Sequence, residues 1–172
     1  MSQLELKIER QKENDRNLHL GGRSFYFFDF DDNVAFLTTP IILFHKVTGQ
    51  ELKITSGQWA QEHFRVGREG VFSDYRVDFD DSTGSFKHFR DHSKDRLEHF
   101  GHERQTFIED IAAALGFPEF QWKGPSWSCF FHAAFNQRPV SVITARGHHP
   151  DTIKLGIKHF VEKGQLPIEP NY

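Results

Sequence analysis

The chain predicts an α/β fold built on a parallel sheet, and three observations carry that expectation. Residues 24–34, SFYFFDFDDNV, form an apolar run that breaks off in the carboxylates of Asp29, Asp31 and Asp32. Residues 139–147, PVSVITARG, form a second apolar run that ends in polar residues. The intervening and following segments complete the order strand, long insert, helix, strand, helix. Apolar residues on both faces suit strands buried on both sides, as parallel strands are. In open sheets of this kind ligands bind outside the carboxyl ends of the strands, where both polar clusters fall.

Each element has a local cause. Residues 1–20 are polar and charged and read as an arm, with Gly21-Gly22 as the turn into a strand over 24–28. Residues 40–46 and 51–55 read as short strands, and the link Val47-Thr48-Gly49-Gln50 between them favours a hairpin. Thr55 or Ser56 caps a short helix carrying Trp59, Ala60 and Phe64. Residues 65–102 are polar and aromatic without a clear period, apart from a turn at 80–84. The next helix carries Phe107, Ile108, Ile111, Ala112 and Leu115 on one stripe and stops at Gly116 and Pro118. Another starts near Ser126 with Trp127, Phe130, Phe131, Ala134 and Phe135 as its stripe. A buried strand over 140–143 then leads to a helix with Pro150 in its first turn. Ile153, Ile157, Phe160 and Val161 form its apolar face, and Gly164 is its stop.

Composition excludes several classes. A chain of 172 residues suits one domain with an insertion. A formal charge of −3 without a long basic block argues against nucleic acid as a partner. The single cysteine, Cys129, excludes an internal disulfide framework and fits a reducing, cytoplasmic setting; beside the aromatic stripe it reads as packed. No early apolar stretch serves as a secretory signal, and none approaches the roughly 20 apolar residues of a membrane span. Phenylalanine is abundant, 19 in all. Phe72, Phe79, Phe86, Phe89 and Phe100 fall in the irregular stretch, where they fill the core of an insert or line an apolar pocket.

The chemistry gathers at the two strand ends. Asp29 and Asp31 share one side only if the backbone stays extended past Phe30. Carboxylates crowded together repel, so a cation among them or a shared proton makes the cluster tolerable. A carboxylate beside a divalent cation can attack phosphorus and form an aspartyl-phosphate. A second carboxylate can protonate the leaving oxygen and then activate water. The Thr144 hydroxyl and nearby N–H groups suit a phosphoryl oxygen, and Arg146 is placed either to touch phosphate or to bond backbone carbonyls.

SFYFFDFDDNV resembles the first signature of the haloacid dehalogenase-like (HAD) hydrolases, a hydrophobic strand followed by Asp-x-Asp. PVSVITARG resembles the second, a hydrophobic strand ending in Thr or Ser, and Thr144 follows Asp29 by 115 residues. The resemblance implies that Asp29 is the nucleophile, Asp31 the general acid/base and Thr144 the phosphoryl-orienting hydroxyl. It implies Mg²⁺ held by the Asp29 carboxylate and the Asp31 backbone carbonyl, and a phosphate ester as substrate. It also implies a Rossmann-like three-layer core with an incomplete parallel sheet, formed by 21–39 and 126–172. Residues 40–125 would be a β-hairpin flap plus cap, and Val34 to Thr39 would match the family's helical turn.

The chain departs from the family pattern in three places. Asn33 stands where the family usually has Thr or Val. The family's charge-balancing Lys and its distal acidic pair have no match among the 25 residues after Gly147. Lys154, Lys158 and Lys163 lie on a helix expected to run away from the site. The expectation is therefore an N-terminal part of a longer phosphatase-like protein, catalytically crippled by itself. Two rivals stand beside it: a receiver-like phospho-acceptor signalling module and a non-catalytic HAD-like binding protein. Asp32, His148 and His149 read as surface residues near the site. His88, His92, His99 and His102 have zinc-compatible spacing only if helical, and read instead as a solvated charged helix.

Overall fold

The computed structural model describes residues 10–172. In chain order the strands are β1 (Tyr26–Asp29), β2 (Ile41–His45), β3 (Glu51–Ile54), β4 (Tyr75–Arg76) and β5 (Val140–Ile143). The helices are α1 (Ser56–Glu62), α2 (Lys94–Phe100), α3 (Thr106–Ala114), α4 (Glu119–Trp122), α5 (Trp127–Phe135) and α6 (Pro150–Glu162). The fold is mixed α/β. β1 and β5 pair in parallel, with Tyr26 opposite Val140 and Asp29 opposite Ile143. β3, β2 and β4 form a separate antiparallel sheet. Among the described residues no helix is long and apolar enough to cross a membrane.

Local chemistry sets the helix ends. Thr55 and Gln58 form a reciprocal capping box at α1, with bonds of 3.1 and 3.0 Å. Pro150 opens α6, where its missing N–H costs nothing, and Gly164 with φ +72° follows its last turn.

The main core lies on one face of the parallel pair. Phe28 and Phe30 pack against Phe107, Phe130 and Phe160, which belong to α3, α5 and α6. α3 and α6 approach closely at Gly156, where a Cβ would fall 2.5 Å from the Phe107 ring. Ile41, Leu43, Ile54 and Phe72 form a second core under the antiparallel sheet. Phe107, Ile111, Ala114 and Trp122 belong to the main core, so the last part of the segment expected as cap packs with the parallel pair instead.

Three expectations need correction. β1 and β5 are not buried on both faces: Phe25, Phe27 and Ile143 are 66%, 68% and 55% exposed, because helices cover only the side of Phe28 and Val142. The histidine segment is not one continuous helix: a 3-10 turn over Lys87–Phe89 ends at the extended Arg90, and α2 over Lys94–Phe100 ends at Gly101, which adopts a left-handed conformation. His88, His92 and His99 pack around Phe100 at 5.2–5.7 Å, and His102 bonds Glu109. Cys129 is exposed on the outer side of α5. Of the polar arm, residues 1–9 lie outside the described residues, and the described remainder docks on the body of the fold. Asp15 accepts from the Ser24 N–H and hydroxyl at 2.8 and 2.9 Å, and Arg10 lies over the Phe131 ring at 5.1 Å.

Candidate active site at two strand ends

The ladder runs one residue past β1, with the Phe30 N–H donating to the Ile143 carbonyl at 3.0 Å. The chain then makes a tight turn. The Val34 and Ala35 N–H groups both donate to the Phe30 carbonyl, at 2.9 and 3.2 Å, and Asp32 takes φ +60°. This turn occupies residues 30–35, and residues 36–39, within the 34–39 stretch where the resemblance implies a helical turn, form none. Gly124 braces it: its N–H donates to the Val34 carbonyl at 3.0 Å, and a Cβ there would sit 2.2 Å from the Asn33 oxygen. Only glycine allows two backbones this close.

The turn and the segment after β5 bring Asp31, Thr144 and Arg146 into contact. Thr144 Oγ1 donates to Asp31 Oδ2 at 2.7 Å. Asp29 stands in register with Ile143, the residue before Thr144, on the open face of the sheet, and accepts from Asn33 Nδ2 at 3.0 Å. Arg146 Nε donates to Asp31 Oδ1 at 2.7 Å, so both oxygens of that carboxylate are engaged. The Arg146 side chain is only 2% exposed and points inward. Its Nη2 donates to Thr39 Oγ1 at 2.8 Å, and Thr39 bonds Asp110. Its guanidinium lies over Phe89 at 4.6 Å and Phe107 at 5.2 Å. Burial pushes the Asp110 carboxyl above its ordinary value, against the Thr39 hydrogen bond and the Arg146 charge.

Asp32 stays on the outer side, where its Oδ1 accepts from Ser56 Oγ at 3.2 Å. Partial burial raises its carboxyl, and the charges of Asp31 and Asp29 add to that effect. His148, expected at the surface, is enclosed, with Nδ1 2.9 Å from Asp91 Oδ1. Asp91 also accepts from the His149 N–H at 2.9 Å and the Thr152 hydroxyl at 3.0 Å, which ties the insert to the start of α6. The arginines of the insert mostly meet local acids: Arg65 meets Glu62 and Glu69, Arg76 meets Asp78, and Arg90 meets Asp81. Lys154 shares with Thr144 a cavity of about 310 Å³ along the free edge of β5, so the first half of α6 stays beside the site.

Sequence reasoning missed Thr39 and Asp110 as partners of Arg146. The available signal was weak: Asp110 follows Glu109 beside the apolar stripe of α3, and Thr39 directly precedes Pro40.

The comparisons decide no family. No family model, curated protein or solved structure matches the chain.

At the strand ends the exposed Asp29 carboxylate is the one a hard cation could reach, since both oxygens of Asp31 are engaged and Asp32 bonds Ser56. Asp29 offers an exposed carboxylate at the end of β1; the loop after it holds two further carboxylates, and the loop after β5 supplies one inward-facing arginine. Among the described residues no group of three or more His, Cys, Asp and Glu side chains is placed to hold a metal. Mg²⁺ commonly takes only one or two protein carboxylates and completes its octahedron with water and substrate phosphate oxygens.

Proposed function

We propose that this chain carries the catalytic strand ends of a Mg²⁺-dependent phosphohydrolase of the haloacid dehalogenase type, on a Rossmann-like core. The observation that carries this reading is the Thr144 Oγ1–Asp31 Oδ2 bond of 2.7 Å, with Asp29 in register one residue before Thr144. Two runs 115 residues apart thus place one exposed carboxylate, a second carboxylate and a hydroxyl at adjoining strand ends, as phosphoryl transfer through an enzyme aspartate requires.

In the proposed reaction an Asp29 carboxylate oxygen attacks phosphorus in line. The new O–P bond forms as the ester O–P bond breaks, and Asp31 gives a proton to the departing oxygen. Water then attacks the aspartyl-phosphate while Asp31 takes its proton, releasing phosphate and restoring Asp29. Thr144 orients a phosphoryl oxygen, and Asn33 holds the Asp29 carboxylate in place. The Asp29 carboxylate and the Asp31 backbone carbonyl would hold Mg²⁺, which would supply charge neutralisation. Arg146 acts from below by positioning Asp31 and does not face the substrate.

One observation favours a second reading. Asp31 can reach a leaving group only by turning an oxygen away from Thr144 or Arg146, and a non-catalytic binding protein would need no such movement. Slow, Mg²⁺-dependent turnover of p-nitrophenyl phosphate, in keeping with the missing lysine and distal acids, and its loss in Asp29→Asn with an unchanged circular dichroism spectrum, is the expected result. Activity persisting in that variant removes the mechanism. A wild type without turnover points to the binding protein, or to a receiver-like module if it keeps a stable phosphoryl group on Asp29.

A further inference from the structure

A cavity of about 450 Å³ lies where the antiparallel sheet and its helix α1 meet the two strand-end loops. Asp32 from the first loop and Ala145 and Gly147 from the second form one side. Trp59, Phe86 and Phe89 form the opposite wall. The rings meet edge to face: Trp59 and Phe86 at 5.6 Å and 81°, Phe86 and Phe89 at 6.0 Å and 72°. Phe79 lies stacked on Phe86 at 6.1 Å and is 76% exposed, a large apolar ring left in water at the rim.

We propose that this cavity holds the leaving group of the substrate and that this group is a flat aromatic ring, making the substrate an aryl phosphate monoester. The inference rests on the phosphohydrolase reading of the adjoining loops. The volume lies within the range of about 300–1,000 Å³ typical of small-ligand sites. A sugar or polyol would need many free polar groups, whereas the polar side chains here are few and already engaged. Ser56 donates to Asp32, and Arg90 pairs with Asp81 at 2.6 Å. Faces and edges of aromatic side chains instead complement another ring through their quadrupoles. Asp32 at the loop end repels a second anionic group, so a ring without further negative charge fits best.

Phosphonates test the cavity without turnover. In calorimetric titrations of the full chain with Mg²⁺, benzylphosphonate should bind at least about tenfold more tightly than ethylphosphonate, the size of a good aromatic contact. Trp59→Ala should shrink that ratio by removing the wall. Ala60→Phe, at an exposed position of α1 that lines the same cavity, should shrink it by filling the space without touching the core. Equal affinities, no detectable benzylphosphonate binding, or a ratio that survives Ala60→Phe overturns the proposal. None of these outcomes depends on hydrolysis, so a failed pocket and a failed Asp29→Asn test are told apart.

Discussion

Arg146 donates through Nε to Asp31 Oδ1 at 2.7 Å, joining the loop after β1 to the loop after β5 from beneath the site. The same guanidinium lies 4.0 Å from Asp110 on α3 and bonds Thr39. One buried cation therefore balances carboxylates from two elements, and its Nη1 finds no hydrogen-bond acceptor among the described residues. Such a group is costly to bury and far more costly to lose.

Arg146→Met should destabilise the protein by about 3–5 kcal/mol, because it leaves Asp31 and Asp110 facing each other's field without a cation. Guanidinium chloride unfolding measures the loss. Adding Asp110→Asn should restore part of it, since the two positions share one network. A single variant as stable as wild type would show that the arginine balances nothing.

Gly156→Ala tests the contact between α3 and α6. Alanine favours a helix interior by about 1 kcal/mol over glycine, but the added methyl would meet the fully buried Phe107 ring at 2.5 Å. Phe107 has little room to yield, with the Phe30 ring at 5.4 Å and the Arg146 guanidinium at 5.2 Å on its other contacts. Overpacking of this kind costs about 1–3 kcal/mol, so a lower Tm is expected. A raised Tm would mean that the helices separate freely.

Acid should weaken the fold through its histidines. Burial, then the adjacent Lys87 charge, pushes the His88 imidazole down from 6.5 to about 4. Burial lowers His92 and His148 as well. A histidine with a depressed folded pKa binds fewer protons folded than unfolded. Its contribution is present above the unfolded value and is lost as pH falls toward the folded one. The raised carboxyls of Asp32 and Asp110 act in the opposite sense, contributing most when protonated and losing that contribution as pH rises. Tm should fall between pH 6.5 and about 4, and His88→Phe should make that fall shallower. An equal slope in both proteins would assign the acid sensitivity to other groups.

The sequence carried the elements well and their surroundings poorly. The strand at Val140–Ile143, the β2–β3 hairpin, the Thr55 cap and the Pro150 start are all found as the local pattern indicates. The outward face of β1 was misread because Phe25 and Phe27 look like core residues in a list of neighbours. Their exposure depends on which layers cover the sheet. The zinc-compatible histidine spacing needed a continuous helix, which Gly101 and the irregular stretch before Ser93 deny it.

By itself the sequence determined those strands and helices that carry a clear period, cap or stop, and that two acid- or hydroxyl-bearing runs terminate apolar strands; β4, α2 and α4 carry no such signal. Periodicity, caps and glycine stops act over a few residues, so the information lies within each segment. Tertiary structure decided the rest. It turned Arg146 inward to Asp31 and Thr39, enclosed His148 against Asp91, and opened an aromatic cavity beside Asp32. These outcomes are set by which distant side chains share a low-dielectric interior, and partners up to 115 positions apart are not written in any local pattern.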